Sequence, residues 1–107
     1  MSESQCIRVN LKPGKTDEFL LWAKGLSSRS DEVREALQAE GIVAEHIFLE
    51  HSESGDSIIF YTKAQDLKKA NEAFERSSLP LDVEAKRVMA STWEFSSIKA
   101  LQKVLDL

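Results

Sequence analysis

The chain has 107 residues, of which 42% are hydrophobic and 30% charged, and a formal net charge of −4. Those figures describe a single globular domain over residues 1–107, and the acidic balance excludes the broad basic footprint that nucleic acid requires. No apolar run approaches a membrane span, the N-terminus lacks a signal-peptide core, and the lone Cys6 has no intrachain disulfide partner. The expectation is a soluble, cytoplasmic protein that binds neither membrane nor nucleic acid.

Cys6–Leu11 alternates cleanly, with Ile7, Val9 and Leu11 on one side and Cys6, Arg8 and Asn10 on the other. That is the period of a strand with one buried face. Pro13-Gly14 ends it. Thr16 reads as a helix N-cap, with Asp17 and Glu18 suited to the positive end of the helix. Phe19, Trp22, Ala23 and Leu26 recur at helical spacing, and Val33, Ala36 and Leu37 resume the stripe beyond Gly25 and the serine-rich run. One kinked helix or two abutting helices fit this pattern, and Gly41 is placed to end it.

Ala44–Thr62 carries two alternating runs around Glu53-Ser54-Gly55-Asp56, which predicts a β-hairpin. With Ser54-Gly55 at the turn centre, Glu53 pairs with Asp56, Leu49 with Phe60, and Phe48 with Tyr61. One face is then aliphatic, and the other mixes aromatic with ionisable groups. Ala64–Arg76 follows as a helix, and Pro80 opens another that carries Leu81, Ala85, Val88, Met89 and Trp93. Asp31-Glu32 and Asp82/Glu84 read as solvated helix starts. Ile98–Leu107 fits a helix by its local period. Two β-α-β halves need a fourth strand, however, so this tail is assigned to a strand. The predicted class is α+β: a ferredoxin-like split βαβ fold with a four-stranded antiparallel sheet and its helices on one face.

Several segments, CIRVNLKPGK, IFLEHSESGDSIIFYTKA, STWE and VLDL, together resemble a small bacterial family of unknown function with a dimeric α+β barrel. Its wider superfamily includes antibiotic-biosynthesis monooxygenases and NIPSNAP-like proteins. The resemblance implies a homodimer whose helix-free faces line an internal cavity. It carries over no catalytic residue.

The mixed face supplies the candidate ligand-binding residues: Arg8, Asn10, His46, Phe48, Glu50 and Tyr61. A cation, an amide, an imidazole, a carboxylate and a phenol beside aromatic surface suit a small aromatic or carboxylate-bearing ligand. The plain alternative is that these groups tie the dimer together, Arg8 pairing with Glu50 and Phe48 with Tyr61. His46 is the candidate proton carrier if the protein is an enzyme. His51, on the aliphatic side, reads as a packing residue. The two histidines lie on opposite faces and cannot share a metal, so neither metal nor cofactor is expected. Cys6 reads as an inert small hydrophobe. The leading expectation is a homodimeric small-molecule-binding protein. A cofactor-independent monooxygenase-like enzyme and a structural or regulatory interaction module are the alternatives.

Overall fold

The structure is a computed structural model and describes residues 2–107. The chain runs β1 (Glu3–Leu11), α1 (Thr16–Gly25), a 3-10 turn (Leu26–Ser28), α2 (Ser30–Glu40), β2 (Ile42–Ser52), β3 (Gly55–Ala64), α3 (Leu67–Arg76), α4 (Pro80–Thr92) and β4 (Trp93–Ala100). The strands form one antiparallel sheet in the order β2-β3-β1-β4. Two β-α-β halves interleave so that their first strands, β1 and β3, lie side by side at the centre. This is the ferredoxin-like α+β arrangement. The sheet is open, with β2 and β4 at its edges. No helix among the described residues is long and apolar enough to cross a membrane.

All helices cover one face. Val9 and Leu11 of β1, Ile58 of β3, Phe19 of α1 and Trp93 of β4 form the buried core, with Ile7, Leu49 and Phe60 packed against it. The Phe19 ring lies 6.1 Å from Trp22 and 6.5 Å from Trp93. Period-2 alternation therefore sorts the strands as expected: the aliphatic side is beneath the helices, and the mixed side is bare.

Local chemistry explains the boundaries. Between Thr16 and Glu40 two helices abut, separated by the 3-10 turn. Gly41 terminates α2 in the left-handed region at φ 70°, where an L-side chain is disfavoured. Asp66 caps α3 by accepting from the Lys69 backbone N–H, and Pro80 occupies the first turn of α4. Thr16 begins α1, but its hydroxyl donates to Asp56 Oδ2 at 2.7 Å instead of capping the helix.

Two expectations about the strands are corrected. The hairpin pairs Ser52 with Gly55, His51 with Asp56, Leu49 with Ile58 and Ile47 with Phe60. Glu53-Ser54 is therefore the turn centre, and the register lies two residues from the expected one. Neither of those residues takes a positive φ; Gly55 does, at 129°, immediately after them. An even shift preserves every side chain's face. The fourth strand comes earlier than predicted: Trp93 leaves α4 with an extended backbone and opens β4, which ends at Ala100. Residues 101–107 have no regular secondary structure. β1 and β4 pair as Arg8↔Lys99 and Asn10↔Glu94, so β4 carries extra residues between these points. Ser97 closes the irregularity, its Oγ accepting from the Asn10 N–H at 2.8 Å and donating to the Glu94 carbonyl at 2.6 Å.

Candidate functional site

The six residues singled out from the sequence share the bare face of the sheet. β1 contributes Arg8 and Asn10, β2 contributes His46, Phe48 and Glu50, and β3 contributes Tyr61. Arg8 Nε lies 3.2 Å from Glu50 Oε1, reaching across the intervening β3. This is an ion-pair distance, but the angle does not make a hydrogen bond, so Arg8 Nε is buried without an aligned acceptor. The Asn10 side-chain oxygen accepts from Ser57 Oγ at 2.9 Å. His46 sits between two aromatic rings, 5.7 Å from Tyr61 and 6.4 Å from Phe48. The expected direct pairing of Phe48 with Tyr61 is replaced: Phe48 lies opposite Ile59, and Tyr61 opposite His46. The face therefore divides into an ionic corner and an aromatic row. Phe48, 57% exposed, is its most prominent apolar group.

Chemistry of a different kind lies beneath the helices. A cavity of about 210 Å³ between helices and sheet is walled by Phe19, Trp22, Leu37, Phe60, Phe74 and Met89, and Glu40, Glu45, Asp82 and Trp93 also line it. Asp82 is only 4% exposed and Glu40 8%. Asp82 is thus not the solvated helix start expected from its position. The reason is geometric: the first turn of α4 packs inward, and Asp82 shares the stripe of Ala85 and Met89 at helical spacing. Glu40 likewise continues the stripe of Val33, Ala36 and Leu37. An acid in phase with an apolar stripe was the available signal, and the assumption that charge means solvent concealed it.

Burial first, then hydrogen bonding with Asp82 and its charge, pushes the Glu40 carboxyl up to about 8. Burial and the Asp82 charge raise Glu45 to about 7, although Glu45 keeps part of its surface in solvent. Two carboxyls bond to each other only while one carries a proton. The nearby cation, Lys86, is committed elsewhere. Its ammonium donates to the carbonyls of Glu75 at 2.9 Å and Ser77 at 3.2 Å and lies 5.3 Å from the Phe74 ring centre. Apart from that pairing, Glu40 Oε2 and Asp82 Oδ2 have no donor, and the Trp93 indole N–H is buried without an acceptor, which costs about 1–3 kcal/mol. Among the described residues, no group of three His, Cys, Asp or Glu side chains is arranged to hold a metal ion.

Three other polar residues have structural duties. His51 Nδ1 lies 2.7 Å from Asp56 Oδ1, so this histidine is tied to the hairpin's other strand and is not a packing residue. The Thr16 and His51 contacts hold the Asp56 carboxyl below the usual range. Glu84, also expected to be solvated, accepts from Arg29 and from the Trp22 indole, both at 2.8 Å, and so joins α4 to α1 and the start of α2.

The architecture is that of a ferredoxin-like α+β domain with one bare sheet face. Residues 2–106 match the model of the Family of unknown function (DUF6176), and the chain belongs to that family. No curated protein matches it in sequence. Among solved structures, a Nitrosomonas europaea protein named for the antibiotic biosynthesis monooxygenases superposes with a TM-score of 0.60 at 13% identity, covering 94% of this chain and 86% of the other. A Bacteroides fragilis protein, described as dimeric, of unknown function and with a ferredoxin-like fold, gives 0.53 at 18% identity, covering 92% and 91%. At these identities the likeness concerns the fold.

Proposed function

We propose that the protein is a homodimeric small-molecule-binding protein of the cytoplasm, in which two copies pack sheet against sheet as a dimeric α+β barrel. Arg8, Asn10, His46, Phe48, Glu50 and Tyr61 line the space between the sheets. The observation that carries this reading is the aromatic row of Phe48, His46 and Tyr61 on the bare face. A half-exposed phenylalanine amid polar groups that already pair within the chain is what an interface core with a polar rim presents. The dimeric Bacteroides neighbour supports the same assembly.

In such an interface Arg8 and Asn10 would orient an anionic or carbonyl oxygen of a ligand, and the aromatic row would stack on its rings. The oxygenase alternative, with His46 as proton carrier, draws only on the fold likeness to the Nitrosomonas protein. Light scattering on dilute protein tests the assembly: twice the 12.0 kDa chain mass is expected, and a stable monomer would remove the space between the sheets.

A further inference from the structure

We propose that Glu94 and Lys99 of β4 fix how two copies meet: each Glu94 contacts the partner's Lys99 about a two-fold axis that runs across the strands. This rests on the sheet-face dimer proposed above. The register of the sheet supplies the geometry. Asn10 lies opposite Ser57 on one side and Glu94 on the other, and Ser57 lies opposite Glu50. Two residues along β1, Arg8 lies opposite Ile59 and Lys99, and Ile59 lies opposite Phe48. Residues directly opposite share a face, so two parallel rows cross the bare face about 7 Å apart.

The rows differ in charge. The first ends in a carboxylate at each edge of the sheet, Glu50 on β2 and Glu94 on β4. The second carries the guanidinium of Arg8 and the ammonium of Lys99. Arg8 and Glu50 pair within the chain at 3.2 Å. Glu94 and Lys99 are exposed, and neither enters an ion pair among the described residues, although they stand in adjacent rows on one strand. One acid and one base are thus left over, which is the composition a two-fold contact requires. At such an interface, if one residue meets a second, the second also meets the first.

Charge then selects the axis. Two sheets packed face to face with aligned strands are related by an axis lying between them, directed either along the strands or across them. An axis along the strands sets each row against its own copy, acids near acids and cations near cations. Like charges so placed oppose association. An axis across the strands, between the two rows, sets each row against the other. Glu94 then meets the partner's Lys99, and Lys99 the partner's Glu94. The same axis places β2 against β2, with one Phe48 on either side of it. It also sets Asn10 against the partner's Arg8, so each half of the binding space is built from both chains.

Sedimentation equilibrium at low ionic strength on Glu94→Lys, Lys99→Glu and their equimolar mixture tests the contact, and Phe48→Asp reports separately on the sheet-face dimer. Each single reversal sets like charges together twice per dimer and is expected to weaken dimerisation about tenfold or more. The mixture should recover dimers, because both contacts in the mixed dimer again join a cation to a carboxylate. The doubly reversed chain Glu94→Lys/Lys99→Glu should dimerise as wild type does, and it keeps the test available should one single variant fail to fold. Single variants of wild-type affinity, with Phe48→Asp dissociated, would overturn the axis and leave the sheet-face dimer standing. Weakened single variants that neither mixing nor double reversal restores would overturn the contact. A monomeric wild type, or dimers that survive Phe48→Asp, would overturn both the contact and the sheet-face dimer.

Discussion

The Glu40 carboxyl, from the last turn of α2, meets that of Asp82, from the first turn of α4, and neither forms a salt bridge among the described residues. In the unfolded chain Glu40 titrates near its ordinary value of 4.5; folding raises it to about 8. The folded state therefore binds this proton more tightly. Its stabilising contribution is complete below about pH 4.5 and is lost as pH rises through 8. Glu45, raised to about 7, acts in the same direction. Glu40→Gln keeps a donor to Asp82 at every pH. Thermal melts should show it more stable than wild type at about pH 9, by on the order of 2 kcal/mol, with little difference near pH 5. A pH-independent destabilisation would contradict the paired-acid reading.

Gly55 takes φ 129° just after the hairpin turn, in a region where L-side chains are strained, while open space surrounds its Cα. Gly55→Ala should therefore lose stability through backbone strain alone, about 1 kcal/mol or more. Ser54 has a negative φ, so Ser54→Ala should lose less. Denaturant midpoints compare the two directly; the reverse ranking would favour a turn centred on Ser54-Gly55.

Glu84 accepts from both Trp22 and Arg29, whereas Glu32 accepts from Arg29 alone. Glu84→Ala strands the Trp22 indole N–H, a loss of about 1 kcal/mol. Glu32→Ala removes only an exposed ion pair and should be close to neutral. Urea unfolding of the two variants should separate them, and equal midpoints would place the Trp22 bond outside the stabilising network.

Facial sorting was legible in the residues because alternation survives any even register error. Ile47 and Leu49 lie toward the helices and His46 and Phe48 away, although the hairpin pairs two positions from expectation. The error arose because a glycine looks like a turn centre, whereas here its positive φ is used one step later. Trp93 misled for a related reason. It follows Met89 at helical spacing, yet as the first residue of β4 it still points into the core. Periodicity cannot distinguish two backbones that bury the same side chain. The tail Ile98–Leu107 is assigned to a strand by topology and against its local period; Ile98–Ala100 do end β4, and residues 101–107 lie beyond the last paired residue. The cavity went unread because Asp82 was sorted by charge and not by its place on the helical stripe, and Glu40 was not placed on its stripe at all.

The assembly through the bare face is tested most directly by sedimentation equilibrium on wild type, Phe48→Asp and a control, Leu21→Asp, since Leu21 is 79% exposed on α1. A charge at the centre of a packed interface should weaken association about 100-fold or more. Phe48→Asp should therefore sediment as a folded monomer at concentrations where wild type and Leu21→Asp sediment at twice the chain mass. Dimers in all three would move the contact to another surface, and monomers in all three would leave the sheet face without a partner.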